Sequence, residues 1–459
     1  MGGKEEIILA ETESLCPICL AKIPAFRESC GNGVFLRKSC PDHGEFRTII
    51  WRGASDFSGW KRPSANVRNG ICHTESRNGC PFDCGLCPQH RKNACTAVIE
   101  ITSRCNLNCP VCFADSGSCR EPDPDLETID GMYRSVLRTY GPEIILQLSG
   151  GEPTIRNDLP YVVETGRALG FSFIQVNTNG LRIAGEKTYA RDLKSAGVSS
   201  VFLQFDGTED GIYRKLRGRE LFDRKRMAIE LCANNGIGVV LVATLVPGVN
   251  VHNIGDILDF ALEHVPWVRG VHFQPVGYLG RFPRSPENGD RLTLPDIMLA
   301  IQEQTQGRMR VTDFTPPGWE NSLCSFHGSF LSLPGGGLQA VSGRGSAGCC
   351  CDEGGEGRAV SFTARQWSAP QPLQDEKPGN GACCASETSP DSLDGFLEMV
   401  RTRMLSVSCM AFQDAWSLDL ERARDCCIHV VAPDGRMIPF CLYNLSSATG
   451  RRLYRGNLP

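Results

Sequence analysis

The fold of this chain is decided by the stretch CNLNCPVC at residues 105–112. It places Cys105, Cys109 and Cys112 at C-x-x-x-C-x-x-C spacing, directly after a predicted strand at Ala97–Thr102. Three cysteines so close together can bind three irons of a [4Fe–4S] cluster and leave the fourth iron without a protein ligand. An iron with an open position can bind a small molecule, so the stretch predicts a catalytic cluster. Zinc is the alternative at this spacing.

A second motif, GGEPT at residues 150–154, follows the predicted strand Glu143–Leu148. Glycines at a strand end let the backbone approach a ligand closely, and a glutamate beside them can accept a hydrogen bond from an ammonium group. A lone motif of this kind would indicate a turn. Together, the cysteine triplet and this turn resemble the radical SAM superfamily.

The resemblance implies that S-adenosylmethionine (SAM) binds the open iron and is cleaved reductively to a 5′-deoxyadenosyl radical, which takes hydrogen from a substrate. The cofactors supply that chemistry, and the protein supplies position and exclusion of solvent. By motif match, Cys105, Cys109 and Cys112 are the cluster ligands. Gly150, Gly151 and Glu152 would bind the methionyl amine. The family usually has an aromatic residue before the third cysteine, where this chain has Val111.

Composition narrows the class of protein. The chain has 459 residues and a net charge of −4, with no basic block, so we expect no nucleic-acid partner. Neither a signal peptide nor a membrane-spanning run is recognisable. The 24 cysteines fall in clusters with metal-binding spacing. We therefore expect several metal centres in a reducing cytoplasm rather than a disulfide scaffold.

The N-terminal segment predicts a small metal knuckle. Cys16 and Cys19 form a C-x-x-C pair, and Cys40 and His43 form a C-x-x-H pair. This ligand set suits tetrahedral zinc or a mononuclear, rubredoxin-type iron. Cys30 is a possible substitute for His43, and a thiol cluster without metal is the alternative.

A second triplet precedes the barrel. Cys80, Cys84 and Cys87 repeat the C-x-x-x-C-x-x-C spacing, and Cys95 lies eight residues further on. Four thiolates would close an auxiliary [4Fe–4S] cluster, with Cys72 as a possible replacement for Cys95. A second SAM cluster is less favoured because no second Gly-Gly-Glu motif is present.

From Ala97 to about Val276 short apolar strands alternate with amphipathic stretches such as Asp130–Thr139 and Lys225–Ala233. This alternation favours an α/β fold with a parallel sheet and crossover helices. The resemblance implies a partial (β/α)6 barrel. The six predicted strands are Ala97–Thr102, Glu143–Leu148, Phe173–Asn177, Ser200–Phe205, Gly238–Val246 and Gly270–Pro275.

Polar residues occur where these strands end, and the chemistry of parallel barrels sits at the carboxyl ends of the strands. In related enzymes such positions meet SAM or the substrate. Asn177, Asp206, Asn250 and Gln274 are the candidates. Alternatively, the Asn-Gly and Asp-Gly pairs simply make turns.

The C-terminal third is rich in cysteine. Between Leu333 and Pro390 the composition predicts loop, with cysteines at 349–351 and 383–384. A helix is predicted at Phe412–Asp425, and a hairpin turning at Asp434-Gly435 would bring Cys441 opposite Ile428. Cys409, Cys427 (or Cys426) and Cys441 would then hold a further auxiliary cluster, unless they are merely small buried residues.

These patterns divide the chain into five parts: a zinc-ribbon or rubredoxin-like knuckle (1–60), an auxiliary-cluster segment (61–96), the radical SAM barrel (97–290), a variable loop-like region (291–392) and a C-terminal cysteine-rich helix-hairpin (393–459).

The order of these motifs is similar to the radical SAM group that contains tetraether lipid synthase, and more so to the TrsS family. The resemblance implies C–C coupling or methylation-type chemistry at an unactivated carbon of a small-molecule or lipid substrate. A flavodoxin- or ferredoxin-type protein would donate the electron. The alternative is a non-enzymatic iron–sulfur or zinc adaptor, which would leave the Gly-Gly-Glu motif without a role.

Overall fold

The computed structural model describes residues 6–60, 72–117, 122–318, 320–333, 336–341, 355–370 and 393–456. The cysteines at 349–351 and 383–384 lie outside these ranges, as does most of the predicted loop between Leu333 and Pro390. None of the described helices is long and apolar enough to cross a membrane.

The N-terminal part is a four-stranded antiparallel sheet in the order β1-β2-β3-β4. A short helix, α1, follows it. The strands are β1 (Glu6–Leu15), β2 (Lys22–Cys30), β3 (Gly33–Cys40) and β4 (Gly44–Arg52), and α1 spans Ala54–Trp60. The buried Arg27 of β2 donates to Asp419 Oδ2 at 2.7 Å, so this sheet docks on the C-terminal part of the chain.

The second sheet has eleven strands in the order β12-β11-β13-β10-β9-β8-β7-β6-β5-β14-β15. Every neighbouring pair from β14 through β13 is parallel, while β11, β12 and β15 pair antiparallel at the two sides. The strands are β5 (Thr96–Thr102), β6 (Ile145–Gly150), β7 (Phe173–Thr178), β8 (Ser200–Gln204), β9 (Gly238–Leu245), β10 (Val268–Pro275), β11 (Ser325–Ser332), β12 (Leu338–Ala340), β13 (Met404–Met410), β14 (Ile428–Val431) and β15 (Met437–Pro439).

Helices lie between the parallel strands, as crossover connections require, and a last helix follows β15. They are α2 (Leu126–Tyr140), α3 (Leu159–Ala168), α4 (Leu181–Gly185), α5 (Tyr189–Ala196), α6 (Asp210–Arg217), α7 (Phe222–Asn234), α8 (Ile254–Glu263), α9 (Leu294–Gln304), α10 (Gly355–Trp367), α11 (Leu393–Arg403), α12 (Leu420–Arg424) and α13 (Phe440–Tyr443). The six predicted strands are β5 to β10, so the predicted α/β fold with a partial, open barrel is confirmed.

The sheet is wider than the predicted barrel because the C-terminal part adds strands on both sides. β13 pairs in parallel with β10, and β14 pairs in parallel with β5. The segment after Leu393 therefore extends the barrel sheet as well as forming a helix and a hairpin. These pairings place Cys409 near the carboxyl end of β13, whereas Cys426 and Cys427 precede β14 at the amino edge of the sheet, where Cys427 lies beside Cys95.

Two local predictions in this part need correction. Phe412–Asp425 is helical only at Leu420–Arg424, because the Asp414 carboxylate accepts from the backbone of Trp416 and Ser417 and competes with helix formation. The hairpin exists, but Val431 pairs with Met437, so the register differs by one residue from a two-residue turn. Gly435 has φ +83°, which a three-residue turn needs. Phe440, rather than Cys441, falls opposite Ile428.

Candidate radical SAM site and metal centres

The cysteine triplet lies in the loop after β5 and is fixed by backbone contacts. Cys112 and Arg281 exchange two backbone hydrogen bonds of 2.9 Å, which ties the third cysteine to the loop after β10. Leu107 N–H donates to Cys105 Sγ at 3.4 Å. Burial, with the nearby Glu152 charge, raises the pKa of Cys105 to about 11. A bound cation reverses this preference, because it stabilises the thiolate.

The Gly-Gly-Glu turn packs directly on the backbone of this loop. Gly151 N–H donates to Thr102 O at 2.7 Å, and Glu152 N–H donates to Arg104 O at 2.8 Å. A Cβ on Gly151 would lie 2.0 Å from Arg104 O. Only glycine allows such an approach, so the sequence motif sets the distance between turn and triplet.

The Glu152 carboxylate joins the ends of two strands, β6 and β7. Its Oε1 accepts from Thr154 N and Oγ1 and from Thr178 Oγ1, and its Oε2 accepts from Asn179 N at 2.7 Å. The residue is 1% exposed. Its carboxylate therefore holds the ends of β6 and β7 in place while lining the cavity described next.

A cavity of about 640 Å³ opens from the triplet and the Gly-Gly-Glu turn into the barrel. The lining alternates along the strands, so that every second residue faces inward, as the period of a strand requires. The inward polar or aromatic residues are Gln147, Ser149, Asn177, Phe202, Gln204, Thr244, His272 and Gln274. α10 lines the cavity through residues such as Trp367.

Two of the four predicted strand-end residues, Asn177 and Gln274, line this cavity, and two do not. Asp206 and Asn250 are fully buried. Asp206 pairs with Arg217, and the Asn250 amide binds the backbone of Val246, Asp206 and Thr244. The expectation that they contact SAM is corrected: they hold loops beneath the site.

Sequence reasoning missed several cavity residues. Gln147, Gln204 and His272 are polar residues in otherwise apolar strands, and each stands at a position that faces inward. This pattern in the sequence could have identified them. Arg217 also lines the cavity, and no sequence pattern indicated that it returns from α6 to this site.

The thiols of the second triplet line one small pocket with His90 and Arg424. Cys95 is not part of it. Its Sγ lies 3.0 Å from Cys427 Sγ, and both cysteines line the large cavity. The pairing of β5 with β14 carries Cys95 to Cys427, which removes Cys95 from the ligand set predicted for Cys80, Cys84 and Cys87.

The C-terminal cysteines are only partly assembled as predicted. Burial and the charges of Cys441 and Cys324 raise the pKa of Cys426, which places these three thiols near one another. Cys427 lies beside Cys95 and 3.7 Å from Glu320 Oε2. Cys409 is fully buried on β13 and lines the large cavity, and burial alone raises its pKa, so no charge of the other C-terminal thiols reaches it.

The ribbon offers a compact tetrahedral set. The ligand atoms of Cys16, Cys19, Cys40 and His43 all lie within 4.8 Å of one another. A hydrogen bond from His43 lowers the pKa of Cys40 to about 7, which favours the thiolate that zinc binds. Cys30 is not part of this group.

A cluster-binding triplet, a Gly-Gly-Glu turn and a parallel open barrel define a radical SAM enzyme. The radical SAM superfamily model matches residues 99–261, and the HMPTM N-terminal zinc ribbon domain matches residues 8–52. The chain is 34% identical to 7,8-dihydro-6-hydroxymethylpterin dimethyltransferase of Methanocaldococcus jannaschii, over 95% of this chain and 93% of the relative. It belongs to the radical SAM family of that enzyme.

Other similarities are partial. A probable GTP 3′,8-cyclase of Methanothermobacter thermautotrophicus is 30% identical over 38% of this chain and 56% of its own length. SuiB of Streptococcus suis, solved with S-adenosylmethionine, is 17% identical with a TM-score of 0.36, covering 47% of this chain and 44% of SuiB. The narrower resemblance to the TrsS family stays a prediction.

Proposed function

We propose that this radical SAM enzyme methylates a flat, uncharged nitrogen heterocycle of the pterin type. The observation that carries the proposal is the 34% identity to a pterin dimethyltransferase over nearly the full length of both chains. A match confined to the barrel would have supported the cofactor chemistry alone. Here the match covers 95% of this chain and 93% of the relative, so it extends well beyond the barrel.

The inner wall of the cavity supports this substrate class. Gln147, Asn177, Gln204 and Gln274 present neutral amides, each with a donor and an acceptor. A pterin ring carries N–H donors and ring-nitrogen or carbonyl acceptors along its edge, so amides can pair with it without charge. A wall built for phosphate or carboxylate would carry several cations instead.

The oxygen atom of one of these amides, Asn177, lacks a hydrogen-bond partner among the described residues. Asn177 Nδ2 donates to Gln147 Oε1 at 3.3 Å, and Gln147 Nε2 donates to Gln175 Oε1 at 2.8 Å. Asn177 Oδ1 is buried and accepts from no described group. Such an acceptor is costly unless a ligand satisfies it, and an N–H of SAM or of the substrate would do so.

Aromatic side chains favour a flat ring as well. The Phe202 ring lies 5.3 Å from His272 and 5.8 Å from Trp367 between centroids, and all three line the cavity. Burial lowers the pKa of His272 to about 4, so this imidazole is neutral at physiological pH. A heterocycle stacked on this group would meet apolar ring faces next to the amides.

When bound, the cluster and SAM supply one-electron chemistry at carbon. The chain contributes Cys105, Cys109 and Cys112 as cluster ligands, with Gly150 and Gly151 allowing close approach of SAM. Glu152 would accept from the amino group of SAM. We further propose a flavodoxin- or ferredoxin-type electron donor and a cytoplasmic location, since thiolate ligands need a reducing compartment.

The sequence predicted C–C coupling or methylation-type chemistry on a small-molecule or lipid substrate. A lipid chain would find apolar surface in the cavity but would offer no N–H donor to the buried Asn177 Oδ1. A non-enzymatic adaptor would leave both the cavity and the Gly-Gly-Glu turn without a role. Methylation of a heterocycle gives a role to the amides, to the cavity and to the Gly-Gly-Glu turn.

The test is a product assay. Reconstituted enzyme is reduced anaerobically with methyl-labelled SAM and 7,8-dihydro-6-hydroxymethylpterin, and the pterin is analysed by mass spectrometry. We expect label in the pterin, lost in Cys105→Ala. Gln147→Met should raise KM, while the exposed Gln339→Met should not. SAM cleavage without label transfer to any pterin tested would contradict the proposed substrate class.

A further inference from the structure

The turn between α6 and α7 carries a concentration of positive charge. Seven of the 13 residues at 214–226 are Arg or Lys, and two are Asp or Glu. Apolar residues interrupt the stretch, so it is not a continuous basic run, and the whole chain has a net charge of −4. Two of the seven cations, Arg217 and Lys225, are buried. The other five are exposed: Arg214, Lys215, Arg219, Arg224 and Arg226.

Three of the exposed cations have no partner of their own. The two acidic residues of the stretch pair with Arg214 and Arg226. Within the described part of the chain, the side chains of Lys215, Arg219 and Arg224 form neither an ion pair nor a hydrogen bond. We call these three side chains the basic patch. Unpaired surface cations are common, so the position of the patch on the molecule decides what it can do.

The inner side of the same turn packs on the loop of the SAM-cluster triplet. Tyr213 of α6 and Leu221, directly before α7, form one buried apolar cluster with Leu107 and Cys109. Cys105 packs against this cluster. The outer side of the turn, which carries the basic patch, is thus one layer of chain away from two of the three proposed cluster ligands.

The turn is fixed from both sides of the loop. The Asp210 carboxylate, at the start of α6, accepts from the backbone N–H of Leu221 and Phe222 at 2.9 and 3.0 Å. On the inner side, Arg217 is paired with the buried Asp206. A turn that is held in this way presents its charges to a partner without first having to be ordered.

The neighbouring loop adds no opposing charge. Between residues 103 and 114 the sequence contains no Asp or Glu. The loop exposes the neutral Asn106, Asn108 and Pro110, and its exposed Arg104 pairs with Asp123. An acidic partner would therefore meet no uncompensated negative charge on the loop that carries the cluster ligands.

We propose that the basic patch is the docking surface for an acidic one-electron carrier protein that reduces the SAM cluster. Electron transfer slows steeply with distance, so the carrier must bind next to the cluster. Complementary charge brings such a partner to one face quickly, and electron-transfer encounters need only a small interface. The inference rests on the electron donor of the proposed function and names the surface that this donor uses. One electron leaves the carrier and enters the cluster, and no bond forms or breaks at this stage.

The experiment measures docking and reduction separately on the reconstituted full chain. Calorimetry measures the binding of an oxidised, acidic flavodoxin. The rate of 5′-deoxyadenosine formation is then compared between reduced flavodoxin and dithionite, a small reductant that needs no docking surface. In a Lys215→Glu/Arg219→Glu variant we expect flavodoxin affinity to fall at least about tenfold, with an unchanged dithionite rate. Added salt should weaken binding to the wild type, because it screens exposed charges.

Helix α5 supplies the matched control. An Arg191→Glu/Lys194→Glu variant makes the same change of charge at two exposed residues. Lys194 Nζ donates to Gly236 O at 2.7 Å, just ahead of β9, so it lies at the amino edge of the sheet, away from the cluster loop. This variant should bind flavodoxin like the wild type. Lys215→Arg, which keeps the charge of the patch, should do so as well.

An equal loss of flavodoxin affinity in the two charge-reversed variants, or no loss in Lys215→Glu/Arg219→Glu, would overturn the docking surface. So would a lower dithionite rate in that variant, because the turn would then support the cluster loop and not a partner. Failure of the wild type to bind either flavodoxin or an acidic ferredoxin would overturn the class of partner. A wild type that does not cleave SAM with dithionite would contradict the proposed function itself, and with it the need for a donor.

Discussion

Arg217 and Asp206 form a two-pronged ion pair beneath the SAM site, with Nε–Oδ2 and Nη2–Oδ1 distances of 2.7 Å each. Asp206 is fully buried and Arg217 is 9% exposed. Burial acts to lower the pKa of Arg217, but the charge of Asp206 and a contact with Cys109 raise it overall. Asp206 therefore fixes the Arg217 guanidinium, which lines the cavity and contacts Cys109, while Asp206 itself does not line the cavity.

Removing one partner of this pair should be costly. We expect Asp206→Ala to lower the free energy of unfolding by about 3–5 kcal/mol, because it leaves a buried guanidinium unpaired. Urea denaturation measures this change. The matched control is Asp130→Ala, which breaks the exposed i,i+4 pair with Arg134 and should cost under about 0.5 kcal/mol. An equal loss of unfolding free energy in the two variants would contradict a buried ion pair between Asp206 and Arg217.

The close approach of the Gly-Gly-Glu turn can be tested with a single methyl group. Gly151→Ala places a Cβ 2.0 Å from Arg104 O, so the turn must move away from the triplet. We expect SAM binding, followed by equilibrium dialysis on the reconstituted enzyme, to weaken by at least about tenfold, or about 1.4 kcal/mol.

Helix α2 supplies the control for that variant. Gly131→Ala adds the same methyl group where nothing lies within 4 Å, and alanine is the better helix former by about 1 kcal/mol. It should bind SAM like the wild type and unfold at a slightly higher temperature. Normal SAM affinity in Gly151→Ala would show that the turn does not need this contact.

The ribbon metal should depend on His43 and not on Cys30. We expect Cys19→Ser and His43→Ala to lose one tightly bound metal per chain, seen by elemental analysis of anaerobically purified protein. Cys30→Ser, on the neighbouring strand β2, should keep it. A metal retained in His43→Ala and lost in Cys30→Ser would reverse the assignment in favour of a four-cysteine site.

His272 makes stability depend on pH. Burial lowers its pKa from 6.5 to about 4, so between these values the unfolded chain binds a proton that the folded chain does not. The stability that the folded chain has with a neutral His272 is thus fully present above pH 6.5. It is lost as the pH falls towards 4, because the unfolded chain is then favoured by protonation.

Through His272, the free energy of unfolding should fall by an amount on the order of 1–2 kcal/mol between pH 7 and pH 5. Thermal unfolding at the two pH values measures it, with His272→Gln as the reference, since glutamine does not titrate. The wild type should lose more stability on acidification than the variant. Parallel pH profiles for the two proteins would contradict the lowered pKa of His272.

The features that a short stretch of sequence determines were predicted best. The cysteine triplet, the Gly-Gly-Glu turn and the six barrel strands are each set by a short stretch, and the structure has all of them in sequence order. Side chains at the strand ends were harder to interpret. Asn177 and Asp206 both end a strand, but Asp206 meets Arg217 from α6, a contact between residues eleven apart in sequence that no periodicity shows.

Contacts between distant parts of the chain explain why the predicted and observed neighbours of some cysteines differ. Cys95 was assigned to the nearest triplet, but the pairing of β5 with β14 joins it to Cys427, 332 residues away. Cys409 was assigned by proximity to a predicted helix, and it lies within β13, which pairs in parallel with β10. Parallel pairing of distant strands leaves no pattern in a single sequence, so neither partner could be chosen in advance.

The most direct test of the central claim is formation of 5′-deoxyadenosine from SAM by the reduced, reconstituted enzyme. We predict product with the wild type and with Cys232→Ala, a buried cysteine of α7 outside every proposed metal site. We predict none with Cys109→Ala, which retains the other metal centres. Equal product from Cys109→Ala, or none from iron-loaded wild type, would contradict the assignment of this triplet as the SAM cluster.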